Sequence, residues 1–568
     1  MNIQGKGKES VTYDAIVVGS GISGGWAAKE LTEKGLKVLM IERGRELKHI
    51  EGYDTAMKES FDFPHRNRLT EQMKKDYWAG IRTGYTITEA TKDLFVKDSE
   101  DPYEETQRFD WMRAYHTGGK SLHWGRQTYR WNERDFTANG EEGVGVDWPI
   151  RYKDIEPWYS YVEKFAGISG EKRGLDVLPD SHFQPAMELN CVEREVRKGI
   201  ESKFKGRYLT IGRVAHLTNP TEEQLALGRT SCQYRNKCIK GCPYGAYFST
   251  QAATLPAAEK TNNLTLVNDK IVYEVIFDDE KKKAIGVRTI DRNTKKTEEF
   301  YSKVIFLNAG AMGTAWILMQ SKSKTHPNGL GNESDQLGRN IMDHHLGVGA
   351  SGSWEGFEDM YFYGKRPNGV YIPRFANWGS DKRDFLRGFG YQGGGSRGNK
   401  GAGDLIGAEL KATYTHLGGW GFGIGGFGET LPDPRNRFTL SQNKDQWGLP
   451  IINFDAAWRE NEMKMRVAME SEAANMLEAA GLKNVRSYND KEKAPGIGIH
   501  EMGTARMGRD PKTSVLNGNN QVWGAENVYV TDGACMVSSS CVNPSLTYMA
   551  LTARAADHAV NELKKQNI

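Results

Sequence analysis

Six cysteines in 568 residues are too few for a disulfide framework, and three of them, Cys232, Cys238 and Cys242, are bunched in one short stretch that needs its own explanation. Net charge is nearly absent. Lys plus Arg number 76 against 73 Asp plus Glu, a balance of +3, so no global field draws the chain to nucleic acid or anionic lipid, and a small-molecule partner is expected. Long apolar runs are missing as well: hydrophobic residues make up 38%, mean hydropathy is −0.63, and no uninterrupted stretch reaches the ~18 residues of a membrane span. No transmembrane helix is expected. Met1 to Ser10 is polar and leads straight into an apolar strand, which leaves no room for the hydrophobic region of a signal peptide. Internal repeats and low-complexity tracts are absent. The length exceeds one ordinary core and predicts about two to four domains or one large, elaborated one.

What is present begins at Tyr13. Ala15 to Val18 is a short apolar run suited to a buried strand, and Gly19, Gly21 and Gly24 spell G-x-G-x-x-G where a helix would start. The first glycine permits the tight turn, the second admits a pyrophosphate close to the backbone, and the third lets helix pack on strand. Trp26, Ala27, Ala28 and Leu31 give the helix an apolar face, Gly35 is its stop, and Lys37 to Ile41 is the second strand. Glu42 closes that strand 18 residues after Gly24, where an acid meets a ribose hydroxyl. Strand, helix, strand and acid in this order predict a dinucleotide cradle.

Further along, His116 to Gly125 sets paired glycines, Gly118 and Gly119, beside Ser121, His123 and Trp124, as backbone close to a ligand would require. Cys232, Cys238 and Cys242 form C-x5-C-x3-C-P. Thiolates this close can share a metal centre, and three suit a [3Fe-4S] cluster; the alternative is that the thiols merely pack. Leu264 to Val267, Ile271 to Phe277 and Lys283 to Ile290 read as a β-meander, followed by an apolar strand, Val304 to Leu307, and a helix through about Gln320. Gly310 and Gly313 do not complete a second G-x-G-x-x-G, so no nicotinamide site is indicated. His344 and His345 are read as structural. From about residue 346 the chain turns rich in glycine and aromatics, among them Trp354, Tyr361, Phe362, Tyr363, Trp378, Trp420, Phe422 and Phe427. Flat rings could wall a sugar site or simply fill a core. Asn461 to Ala480 predicts an amphipathic helix with Asn461 as N-cap and Gly481 as stop.

The most chemical stretch is Gly496 to Gly508, containing His500, then Thr531-Asp532-Gly533 and Cys541-Val542-Asn543-Pro544-Ser545. Asn543 and Pro544 read as the N-cap and first residue of a closing helix, whose start would be electropositive.

With these motifs in order, the chain resembles GMC oxidoreductases from residue 12 to 560. The resemblance implies FAD bound by Gly19, Gly21, Gly24, Glu42, Gly118, Gly119, Ser121, Asp532 and Pro544, and a catalytic pair, His500 and Asn543, facing the flavin. In several sugar-oxidising members a histidine in the place of His123 carries the flavin covalently; the other reading of His123 is a packed loop histidine. The cysteine array resembles that of the family's bacterial glucose, gluconate and fructose dehydrogenases. Those dehydrogenases commonly work with a small subunit that carries the export signal and with a cytochrome c acceptor, which would place this chain in the periplasm or at the inner membrane, and otherwise in the cytoplasm.

The expected fold is α/β (α+β): a Rossmann-like FAD-binding domain of GMC type, with a discontinuous substrate domain built on an antiparallel sheet. Residues 11–160, 230–345 and 495–565 are expected to form the FAD-binding parts, 161–229 a substrate-domain excursion, and 346–494 the substrate-binding domain. The expected activity is oxidation of a sugar or glycoside ring hydroxyl, with glucoside C3 favoured and His500 as base. A flavin sugar oxidase using dioxygen and a non-catalytic flavin relay subunit are the alternatives.

Overall fold

The computed structural model describes residues 13–361, 366–399, 404–415 and 417–568. The apolar run at the start forms strand β1 (Tyr13–Val18), followed by helix α1 (Ile22–Glu33) and strand β2 (Val38–Ile41). Gly35, at φ 88°, takes the left-handed turn that ends α1. The same layer later receives β3 (Leu264–Val267), β4 (Lys270–Asp278), β5 (Lys283–Asp291) and β6 (Thr297–Leu307), then helix α2 (Ala311–Gln320), the pair β7 (Gln521–Val522) and β8 (Ala525–Val530), and helix α3 (Ser545–Lys564). These make an eight-stranded sheet with its main path in the order β7–β8–β6–β1–β2–β3.

From β8 to β3 the neighbours are parallel. Buried parallel strands are covered on both faces, which is why Ala15 to Val18 of β1, all of β2 and the end of β6 are continuously apolar. Ala27, Ala28 and Leu31 of α1 meet Ala555, Ala556, Ala559 and Val560 of α3 in one core cluster over this sheet.

The meander differs from the sequence expectation. Its three strands are β4, β5 and β6, whereas β3 leaves them and pairs in parallel with β2, Val38 opposite Leu264. The cause is the length of β6: its first half pairs antiparallel with β5, Tyr301 opposite Gly286, and its second half runs parallel to β1, Val304 opposite Ala15. One strand thus belongs to both layers.

A second sheet has six antiparallel strands in the order Lys483–Asn489, Val348–Trp354, Leu417–Gly428, Phe389–Asn399, Val370–Ile372 and Thr210–Ile211. Helices Cys191–Lys203 and Glu460–Ala479 pack on one face through Val192, Val196, Met465, Met469 and Met476. Along Leu417–Gly428 the alternation puts Trp420 and Phe422 into that core and Phe427 on the opposite face. Most of the aromatics are therefore packing: Trp354 joins the same cluster and Trp378 packs on the main one, while Tyr361 is exposed. Phe362 and Tyr363 lie outside the described residues.

The helix at 460–479 does not use Asn461 as its cap. Arg459 holds the N-cap position, Glu462 returns to the Arg459 N–H at 2.8 Å, and Asn461 Oδ1 accepts from Leu386 N–H at 2.7 Å. The acid three residues on serves the helix end, which frees Asn461 to tie in a neighbouring segment. Among the described residues no helix is long and apolar enough to cross a membrane.

Candidate active site

A cavity of about 620 Å³ lies between the carboxyl ends of β1, β2 and β6 and the face of the second sheet that carries Phe427. Each glycine of the first turn has a distinct geometry there. A Cβ on Gly19, at φ 89°, would fall 2.4 Å from the Asn308 carbonyl oxygen, and one on Gly24 only 1.8 Å from that of Gly19. A Cβ on Gly21 would meet nothing within 4 Å, because Gly21 faces the cavity at the N-terminus of α1. The open side is where a ligand's phosphates approach unpaired N–H groups.

The second glycine pair closes on the first. A Cβ on Gly119 would stand 3.8 Å from the Gly21 Cα, and Gly118 N–H donates to Ser20 Oγ at 2.8 Å. Gly119 and Ser121 line the cavity; Gly118 stands behind them, against the Gln251 amide. Ser121 Oγ donates to the Gly118 carbonyl at 2.6 Å and accepts from Thr250 N–H. Glu42 is on the lining as expected, and its carboxylate already accepts from Ser20 N–H at 3.0 Å, from the Ser20 hydroxyl and from Gly44 N–H at 2.8 Å. Burial raises its pKa against these hydrogen bonds. Asp532 also lines the cavity and accepts from Thr314 Oγ1 at 2.6 Å and Ala534 N–H at 2.9 Å; burial lifts its pKa to about 6. Ser23 Oγ, Tyr548 Oη and both ring nitrogens of His123 are buried on this lining without a protein partner. A long ligand with phosphates at one end and polar groups along its length, such as FAD, fits such a surface.

At the far end stand His500 and Asn543. His500 follows Ile499, a β-branched residue at φ 58°, a strained position of the kind that clusters at functional sites. Asp343 clasps the strained turn, accepting from Gly498 N–H at 2.7 Å and His500 N–H at 2.9 Å. Asn543 does not cap α3 as expected. Pro544 occupies the N-cap position behind the lining, and no side chain caps the helix. The Asn543 amide is drawn instead to Gln392, at 2.6 Å, and to His500 Nε2, at 3.3 Å. Lys120 reaches Glu501 at 2.6 Å beside them. The His500 pKa lies well below the ordinary 6.5, because of burial first and then of His344 and the Lys120 ammonium. Its ring is therefore a neutral base at physiological pH. Gln392 and Tyr548 carried no sequence signal and arrive on this cavity from separate segments, while Lys120 and Glu501 lie inside the two motif stretches without having been singled out. His344 was visible beside Asp343 and read as structural, and its Nδ1 stands 2.8 Å from His500 Nδ1.

The cysteine array adjoins the same cavity. Cys232, Cys238 and Cys242 are free thiols that line a separate small cavity of about 20 Å³. Ile239, between two of them, lines the large cavity, and Tyr247 Oη donates to the carbonyls of Leu122 at 2.7 Å and Cys238 at 3.2 Å. The cysteine loop and the His123 segment thus share a wall. Burial pushes the Cys232 thiol up to about 11 and Cys238 in the same direction. Among the described residues no three His, Cys, Asp or Glu side chains converge tightly enough for a single metal ion. Thiols are the donor type that an iron–sulfur cluster takes.

Comparison with known proteins points one way. Two family profiles, each described as GMC oxidoreductase, match residues 14–346 and residues 432–552. The chain is 27% identical to 2-methyl-1,2-propanediol dehydrogenase of Mycolicibacterium austroafricanum (96% of this chain, 94% of the relative). It is 26% identical to the fructose dehydrogenase large subunit of Gluconobacter japonicus (98% and 99%) and 25% identical to the gluconate 2-dehydrogenase flavoprotein of Pantoea cypripedii (95% and 92%). The crystal structure of pyridoxine 4-oxidase from Mesorbium loti superposes with a TM-score of 0.57 over 96% of this chain and 98% of that one, at 16% identity, a likeness of fold. With a glycine-turn cradle, a mixed α/β architecture and profile matches across most of its length, the chain belongs to the GMC oxidoreductases and is an FAD-dependent enzyme acting on CH–OH groups.

Proposed function

We propose that the enzyme oxidises a ring hydroxyl of a sugar or glycoside, with carbon 3 of a glucoside the leading candidate, and hands the electrons to an acceptor other than NAD. The observation that carries this reading is the pairing of His500 Nε2 and Asn543 Nδ2, 3.3 Å apart on the cavity lining. The two groups hydrogen-bond each other on the lining, so an alcohol oxygen entering between them meets a base and a neutral donor together. His500 takes the hydroxyl proton, and Asn543 holds the same oxygen without titrating. FAD, when bound, supplies the hydride acceptor. The glycine turn with the start of α1 would hold its phosphates, Glu42 its ribose, and Asp532 with the Gly119 to Ser121 segment its further polar groups. Phe427 offers an apolar face and Gln392 a hydrogen-bonding one beside the pair, a combination suited to a pyranose. The names of the fructose and gluconate dehydrogenase relatives support the sugar class.

Cys232, Cys238 and Cys242 are the proposed ligands of a [3Fe-4S] cluster, and His123 the covalent anchor of the flavin. The shared wall at Ile239 supports electron exit by this route. Around the cysteine cavity, Arg235 meets Met57 at 2.6 Å, Lys237 pairs with Glu59, and Lys240 lies 5.2 Å from the Phe63 ring; Met57 is 65% and Phe61 78% exposed. Such a mixed cationic and apolar rim fits an acidic protein acceptor, with a cytochrome c as the proposed one. A small export subunit would place the enzyme in the periplasm or at the inner membrane.

The second reading, an oxidase, draws on relatives named paromamine 6'-oxidase and 6'''-hydroxyparomomycin C oxidase. The deciding experiment is the visible spectrum and iron content of protein purified without air, before and after a panel of sugars and glycosides. Substrate-dependent flavin bleaching with about three irons per chain supports the clustered dehydrogenase. Flavin without iron, with rapid oxygen uptake, supports the oxidase. No bleaching by any sugar overturns the sugar reading.

A further inference from the structure

Five polar groups form an unbroken line from the protein interior to the substrate end of the cavity, which His500, Asn543 and Gln392 line. The Ser540 carbonyl oxygen lies 2.8 Å from His344 Nε2, and His344 Nδ1 lies 2.8 Å from His500 Nδ1. His500 Nε2 lies 3.3 Å from Asn543 Nδ2, and Asn543 Oδ1 lies 2.6 Å from Gln392 Nε2.

One member has its role fixed by chemistry alone, since a carbonyl oxygen accepts and never donates. Every other role follows from it. His344 Nε2 must carry the proton given to Ser540. Neutral His344 then has a lone pair on Nδ1, which can accept only if His500 Nδ1 carries a proton. Neutral His500 therefore has its lone pair on Nε2. That nitrogen accepts from Asn543 Nδ2, which leaves Asn543 Oδ1 to accept from Gln392. In the opposite tautomer of His500, two lone pairs would face each other at 2.8 Å.

We propose that His344 is a positioning residue: anchored on the Ser540 carbonyl, it holds His500 with Nδ1 protonated and Nε2 bare, the only tautomer that can take a proton from the substrate. Gln392, from the second sheet, sets the Asn543 amide in the same way. The inference rests on the reading of His500 as the base.

Both rings are neutral at physiological pH. Burial pushes His344 down to about 4, and His500 is depressed by burial, His344 and Lys120. Of the other charged groups near them, Glu501 is paired with Lys120, and Asp343 binds the His500 backbone. Ser540 itself sits at φ 53°, a left-handed conformation unfavourable for a non-glycine residue. The Asp343-His344 dipeptide grips His500 twice, at its backbone and at its ring. In the familiar triads a carboxylate orients the catalytic histidine. A neutral histidine in that place fixes the tautomer without adding a charge.

The test uses the FAD-loaded enzyme with 15N-labelled histidine. The His500 ring signals, identified by their loss in His500→Asn, are expected to show a protonated Nδ1 and an unprotonated Nε2 in the absence of substrate. A protonated Nε2 overturns the proposal. Kinetics give the second arm, with the glycoside that bleaches the flavin fastest as probe. His344→Leu is expected to slow anaerobic flavin reduction ~10²-fold or more at pH 7, with substrate affinity changed less than ~3-fold. His344→Gln, whose amide can donate to Ser540 and accept from His500, is expected to recover at least ~10-fold of that loss. Equal losses in the two variants, or a loss residing in affinity, overturn it. If His344→Leu does not fold, the wild-type spectrum and His344→Gln still decide. Unchanged flavin reduction in His500→Asn would instead remove the base reading, whatever tautomer the spectrum shows.

Discussion

Replacing His500 by Asn keeps a polar group of similar size and removes the titrating lone pair, so flavin reduction is expected to fall ~10²–10⁴-fold with FAD still bound. Stopped-flow bleaching checks it. The pH dependence has a definite sign. A base works deprotonated, and burial, His344 and Lys120 all depress His500, so the reduction rate is expected to stay level from pH 8 down to 6 and to fall only in more acid solution. A half-maximal rate near 6.5 would contradict the buried environment. At His123, the proposed link predicts that acid precipitation of the wild type leaves flavin on the protein and that of His123→Ala releases it. His500, Asn543 and the glycines were legible because each lies in a short motif whose chemistry is local. Gln392 was not. It sits in a glycine-rich strand, and its contact with Asn543 spans 151 positions, which no periodicity reveals.

Among the elements, the turn into α1 separates folding from binding. Gly21 has extended backbone, φ −63° and ψ −168°, that alanine also adopts, and open space where a Cβ would go, so Gly21→Ala is expected to leave the stability of the FAD-free protein within ~0.5 kcal/mol and to weaken FAD binding at least ~10-fold. Gly24→Ala meets backbone at 1.8 Å and is expected to unfold the cradle. Thermal melts with and without added FAD separate the two, and equal melting behaviour would count against the assigned phosphate site. Strand positions were largely readable from apolar runs, yet the partner of β3 was not. An apolar segment of four residues suits an antiparallel meander and a parallel edge equally; the choice is made by β2, whose free edge takes it. The caps failed for a related reason. Asn461 and Asn543 are both good cap residues by type, and both were claimed by tertiary partners, Leu386 in one case and Gln392 with His500 in the other.

At the scale of the whole molecule, the proposed catalytic pair, His500 and Asn543, lies on loops, whereas Gln392 and Phe427 lie on strands of the second sheet, so the position of that sheet against those loops sets the geometry of the site. Buried ion pairs tie the second sheet to the helix Glu133–Glu142: Arg374 bridges Asp135 at 3.0 Å and Glu429 at 3.5 Å, and Arg387 meets Glu142 at 3.1 Å. Within this cluster burial outweighs Arg387 and Arg374 and lifts Glu429 to about 7. A raised carboxyl pKa means that the fold favours the protonated acid, a contribution present below about pH 4.5 and lost as pH rises through about 7. Depressed histidines such as His116 and His344, each at about 4, act in the opposite direction, so the signature is read as a difference between proteins. Relative to wild type, Glu429→Gln is expected to gain stability steadily from pH 4.5 to 7, on the order of 3 kcal/mol at most; a pH-independent difference in denaturant midpoints would refute it. The packing of α1 against α3 also has a consequence in time. A ribosome adding roughly 5–20 residues per second finishes α1 early and reaches α3 about half a minute or more later. Throughout that interval the apolar face of the cradle has no cover from α3. The cradle's core is therefore completed only at the end of synthesis, and a cell producing this enzyme must keep the waiting apolar face from other nascent chains.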